Sequence, residues 1–207
     1  MIVVVGRPLV VRDADGAPIA GGTATAIARA AAIAGASVQL AGRLADGPDG
    51  DAVLFDLTRS GIGHAAMLRE AAVGLPGPEG GPGDEPGGRL DAGDLDLALR
   101  YLTSFGVLVV ADPLGPDAWT VVADAAAYAG SYLVAVLPPG TSTDPAIDGA
   151  TVFEGPLDDP DGEFGALVGR YAAALDDGSD AGAAFRGALG GSGWEEAPAD
   201  DGLPPAR

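Results

Sequence analysis

Residues 20–62, AGGTATAIARAAAIAGASVQLAGRLADGPDGDAVLFDLTRSGI, carry the reading on which the fold depends. Gly21 and Gly22 open the stretch and lead into an alanine-rich run, Thr23 to Ala34, that reads as a helix closed by Gly35. Thr23 is placed to cap it. Val38 and Leu40 then alternate over residues 37–41 as a short strand ending at Gly42. A Gly/Asp/Pro turn follows, and Val53, Leu54 and Leu57 share one face of a second helix closed by Gly61. The two glycines remove side chains where backbone N–H groups at a helix start could meet an anion or a hydroxyl, although Gly-Gly before a helix also serves simple packing.

Working outward, Ile2 to Val5 are all apolar, as a strand covered on both faces requires. Residues 7–19 hold Asp13, Asp15 and Gly16 and predict a small hairpin; the calcium-loop spacing with its terminal Glu is missing. His64 is the only histidine, with no Ser or Cys motif to partner it, and reads as a turn or surface residue. Residues 67–73 predict an edge strand. Residues 74–89 hold eleven Gly or Pro in sixteen and predict a flexible loop, not a phosphate-binding one, since the chain has no lysine.

From Asp91 the pattern resumes. Leu95, Ala98, Leu99 and Leu102 form a helical stripe, 107–111 (VLVVA) a buried strand, Trp119, Val122 and Ala126 a helix ended by Gly130, and 132–137 (YLVAVL) another strand. Alternating strands and helices of this kind predict a parallel sheet with right-handed crossovers. A short strand at 151–153 and an acidic turn at 157–162 (LDDPDG) precede a helix carrying Phe164, Leu167, Val168, Tyr171, Ala172 and Leu175. Gly178 closes it, and Ala184, Phe185 and Leu189 mark a last short helix. The expectation is one α/β domain over residues 1–189 and a disordered acidic tail over 190–207.

Thirty acids against eleven arginines give a net charge of −19, which repels nucleic acid and anionic lipid. GC-rich coding and a high-salt cytoplasm both account for this composition, and both readings stay open. No apolar run approaches the roughly 18 to 20 residues that span a bilayer, the first strand lacks the flank of a signal peptide, and cysteine is absent, so the cytoplasm is the expected compartment.

In order along the chain these pieces resemble the pfkB/ribokinase family of carbohydrate kinases. The matching parts are the first strand at 2–6, Gly21-Gly22, the strand Val38-Gln39-Leu40-Ala41-Gly42, the turn Ala45-Asp46-Gly47-Pro48-Asp49-Gly50, and Gly61-Ile62. Residues 90–137 and 164–189 resemble later segments of the family. The resemblance implies a three-layer αβα ribokinase-like fold with a mostly parallel sheet, a reduced lid and a shortened C-terminal half. It also implies a substrate-binding place at Gly21 and Gly22.

The departures fall on the chemistry. Leu9, Val10 and Val11 stand where the family has its Asn-x-Asp substrate carboxylate, and Ala26 where it has a sugar-binding Asn. The family's Gly-Ala-Gly-Asp motif supplies an anion hole and the base that takes the substrate hydroxyl proton. Counting back from Phe164 aligns it with Asp159-Pro160-Asp161-Gly162, which puts Gly162 at the base, and Pro160 removes an N–H from the anion hole. An alternative register puts 151–155 at the family's Asn-x-x-Glu region and also lacks those residues. The remaining candidates for a catalytic group are Asp161 and Asp159, and no metal-ligand set is recognisable. The implied protein is a non-catalytic relic of a sugar kinase that binds a small molecule or a protein, needing no cofactor. An active kinase using ATP and magnesium is the alternative, and a homodimer paired through its lid is a second.

Overall fold

The computed structural model describes residues 1–70, 90–156 and 159–190. The expected 74–89 loop, Leu157, Asp158 and the tail from residue 191 lie outside them. Among the described residues, eight strands and six helices follow in the order β1 (Ile2–Val5), β2 (Leu9–Arg12), β3 (Pro18–Gly21), α1 (Thr23–Ile33), β4 (Val38–Ala45), α2 (Pro48–Arg59), β5 (Ile62–Glu70), α3 (Ala92–Tyr101), β6 (Val107–Val110), α4 (Pro116–Ala129), β7 (Tyr132–Leu137), β8 (Thr151–Glu154), α5 (Glu163–Asp176) and α6 (Ala181–Gly190). A 3-10 turn at Pro145–Ile147 joins β7 to β8. No helix among the described residues is long and apolar enough to cross a membrane.

Six strands form one parallel sheet in the order β5-β4-β1-β6-β7-β8. All four residues of β1 are buried because the strand has a helical layer on each face. Strand alternation sends Ile2 and Val4 into a core with Ile27 of α1, Leu57 of α2, Val168 of α5 and Ala184 of α6. Val3 and Val5 pack on the opposite face with Leu95 of α3 and Trp119 of α4. The short lid is the antiparallel pair β2–β3, which leaves Leu9, Val10 and Val11 exposed.

Several boundaries differ from the sequence reading. Gly22, not Thr23, is the N-cap of α1, and no side chain caps the helix. Its φ of 83° is one that glycine alone adopts cheaply. Strand β4 runs on through Gly42 to Ala45, where pairing with β5 and the Arg43–Glu70 ion pair continue the ladder. Strand β5 starts at Ile62 rather than 67, so His64 lies on a strand, 3.1 Å from Thr58 Oγ1.

At the start of α3, Asp91 and Asp94 form a reciprocal capping box, each carboxylate accepting the other's backbone N–H. The N–H of Asp94 is the main reason the Asp91 carboxyl is held below its usual pKa. A depressed folded pKa adds stability above the unfolded value and loses it as pH falls through the folded one. Asp91→Asn is therefore expected to flatten the fall in melting temperature on acidification. An unchanged acid slope would count against this cap.

The closest helix packing joins α5 to α1. A Cβ at Gly165 would lie 2.6 Å from Ala26 Cβ, and one at Gly169 would lie 2.4 Å from the Ile27 carbonyl oxygen. These two glycines, four apart, form a smooth face on which the alanine-rich α1 rests.

Candidate functional site

The chain leaves β1 toward β4 and β5 on one side, then crosses to β6, β7 and β8 on the other. A doubly wound sheet opens its ligand crevice at such a switch point, beyond the carboxyl ends of the strands. Here the crevice is narrowed by small residues in close contact. A Cβ on Gly6 would meet Ala24 Cβ at 2.7 Å and Ala111 Cβ at 3.1 Å. The Arg7 N–H donates to Asp112 Oδ2 at 2.7 Å beside them. The cavity left at Val5, Gly6 and Asp112 measures about 10 Å³, scarcely enough for one water.

The larger space lies to the side, between the start of the lid and the carboxyl edge of β4. This open groove of about 580 Å³ is bounded by Arg7, Leu9 and Val10 on one flank and by Arg43, Asp46 and Asp49 on the other. Three arginines in and beside it are held by the chain's own carboxylates. Arg12 Nη2 lies 3.0 Å from Asp49 Oδ2. Arg69 bridges Asp46 at 2.7 Å and Asp51 at 2.8 Å. Arg43 pairs with Asp94 and Glu70, and its hydrogen bond to Asp94 is the main cause of its raised pKa. Arg12, Arg43 and Arg69 would each have to release a carboxylate before meeting an anionic ligand in this groove.

Gly21 and Gly22 sit at the end of β3 and the start of α1. A Cβ on Gly21 would come within 2.6 Å of the Val11 side chain, and one on Gly22 within 2.9 Å of Leu9. The lid's apolar side chains thus lie directly on the glycine pair. Neither glycine lines the groove.

The remaining candidates gather where α5 begins. Gly162 is its N-cap at φ 70°, and a Cβ there would lie 3.3 Å from that of Ala26 on the first turn of α1. The two positions that the resemblance pairs with the base and the sugar-binding Asn are therefore neighbours, and neither carries a polar side chain. Asp161 is exposed in the preceding turn. Asp159 folds back onto the helix, its Oδ1 accepting the N–H of Phe164 at 3.1 Å and its Oδ2 that of Gly165 at 2.9 Å. Two first-turn amides of α5 are thus already engaged by a carboxylate.

No lysine exists to hold a phosphate. Among the described residues, no group of three or more His, Cys, Asp or Glu is placed to bind a metal ion. Sequence reading names Asp159 as a candidate base; its seat on α5 is visible only once the turn is folded against the helix.

No protein-family model matches the sequence, and no curated protein matches it at a significant level. Solved structures do match its fold. The crystal structure of Sa239 superposes with a TM-score of 0.64 at 13% identity, over 98% of this chain and 96% of that one. Arabidopsis thaliana ribokinase, solved with ribose and ATP, gives 0.61 at 13% identity over 92% and 90%. A PfkB protein from Polaromonas sp. JS666 gives 0.58 at 17% identity over 94% and 96%. The parallel six-stranded sheet between helical layers, with its two-stranded lid, is the ribokinase-like α/β fold that the pfkB-type carbohydrate kinases share.

Proposed function

We infer that this chain is a non-catalytic ribokinase-like module that binds an uncharged small molecule in the groove beside the lid. The observation that carries this reading is Gly162 at the cap of α5, with the Asp159 carboxylate turned onto the helix start beside it. A kinase needs a base where the resemblance places Gly162 and free amides along residues 159–162, where Pro160 has none and Asp159 adds a like charge. The paired arginines around the groove favour a neutral ligand over an anionic one.

The test is incubation of the purified protein with ATP, magnesium and a panel of sugars and nucleosides, alongside a thermal-shift screen of the same panel. The expected result is no phosphoryl transfer and a raised melting temperature with one or more neutral compounds. Turnover that Asp161→Asn abolishes would overturn the reading. Asp159→Ala is expected to cost about 1 kcal/mol by uncapping α5, as read by urea denaturation, without creating turnover. An unchanged midpoint would mean that the carboxylate does not hold the helix start.

The exposed run Leu9, Val10 and Val11 on the lid favours a second reading, a homodimer closed through β2. Sedimentation is expected to give a dimer that Val10→Asp dissociates. A monomer at micromolar concentration would remove this reading and leave the first standing.

A further inference from the structure

At the opposite edge of the sheet, the carboxyl ends of α3 and α4 carry the two most exposed aromatic side chains among the described residues. Tyr128 is 94% exposed and Tyr101 79%. Between the two helices runs an open groove of about 320 Å³. Helix α3 turns Asp96, Leu99 and Arg100 toward it at helical spacing, with Thr103 just past its end, and α4 turns Val121, Asp124, Ala125 and Tyr128. Leu102 and Phe105 complete an apolar floor. Tyr128, which lines this groove, supplies large contact area and a polar end at low entropic cost, which suits a protein interface.

Charge narrows the occupant. Arg100 is already paired with Asp96 at 2.7 Å, while α4 has no basic residue anywhere along its length to set against Asp124. The carboxyl end of α4 therefore adds its partial negative charge to the rim uncompensated. The chain as a whole carries −19, so a second copy would bring the same sign to the same surface. A partner with arginine or lysine beside an apolar stripe meets these features, and one of its cations can also rest on the face of Tyr128.

We propose that the groove between α3 and α4 is a docking surface for a basic amphipathic helix of another protein. It lies at the amino edge of the strands, away from the lid, and does not depend on what the lid groove binds. The lining extends over little more than one turn of α3 and two turns of α4, a face that a helix laid into a groove meets through residues at i, i+3, i+4 and i+7.

The probe is a fluorescein-labelled peptide of about four helical turns, leucine at i, i+3, i+4 and i+7 and arginine elsewhere, with a scrambled peptide of equal composition. Both are titrated at physiological salt against the full chain and against a Tyr128→Ser variant. Tyr128 is exposed, so the variant is expected to keep its fold by circular dichroism. The expected result is binding of the patterned peptide, weakened about tenfold or more by scrambling or by the substitution. Amide exchange is expected to slow over residues 96–103 and 121–129. Equal affinity for the two peptides, indifference to Tyr128, protection elsewhere or no binding would each overturn the proposal. So would a dimer of the chain that the same substitution dissociates.

Discussion

Gly169→Val is expected to leave the protein largely unfolded, whereas Gly187→Ala is expected to leave it as stable as before or more so. Both glycines lie inside helices, yet their surroundings differ completely. A Cβ on Gly169 would stand 2.4 Å from the Ile27 carbonyl oxygen, 2.8 Å from Ala30 Cβ and 3.0 Å from the Ala31 nitrogen. Two of these three atoms are backbone, so no side chain can swing aside and the helices themselves must separate. Overpacking a core costs about 1–3 kcal/mol and occasionally more, and valine adds two further methyl groups at the same point. Against a total stability of roughly 5–15 kcal/mol, that loss together with the weakened α1–α5 seam is decisive. Around Gly187 nothing lies within 4 Å of the added carbon, so alanine there brings only its better helix propensity, about 1 kcal/mol. Urea midpoints compare the two. If Gly169→Ala were to stabilise the protein as Gly187→Ala does, the close seating of α5 on α1 would be wrong.

The second large effect is expected at Tyr171. Its side chain is buried between α5, α6 and β8, with Phe153 edge-on at a centroid distance of 5.2 Å and Phe185 at 6.5 Å. Tyr171→Ala removes the ring that joins three elements and is expected to cost about 3–5 kcal/mol. Tyr171→Phe removes only the hydroxyl, which lies 3.2 Å from Thr151 Oγ1, and is expected to cost about 0.5–1.5 kcal/mol. Urea denaturation of the two variants separates packing from hydrogen bonding. Equal losses would place the stabilisation in the hydroxyl pair and not in the aromatic cluster.

The tyrosine and glycine effects also mark where local pattern stopped being informative. The stripe of Val168, Tyr171, Ala172 and Leu175 identified the buried face of α5 from spacing alone. The same helix carries Gly165 and Gly169 on the face toward α1, and nothing in their spacing names the partner. Likewise the run Ile2 to Val5 announces a strand covered on both sides, and the structure places it third in the sheet between β4 and β6. Where the reading slipped, a long-range contact was responsible. Strand β4 outran its apolar segment because β5 pairs with it as far as Ala45. The cap of α1 moved from Thr23 to Gly22, a glycine against which the lid packs Leu9.

The candidate site divides in the same way. The missing lysine, the alanine at position 26 and the glycine at position 162 are plain in the residues. That the last two become neighbours, and that Asp159 occupies the helix start beside them, depends on α5 lying across α1.

The order of residues alone settled where most helices and strands lie and that the strands run parallel, because such properties depend on local spacing and on the alternation of elements. Folding decided the strand order, the seam between two small-residue helices, the arginines claimed by carboxylates and the occupied helix start. Those follow from groups far apart in the chain, brought within a few ångströms only when the layers close on the sheet.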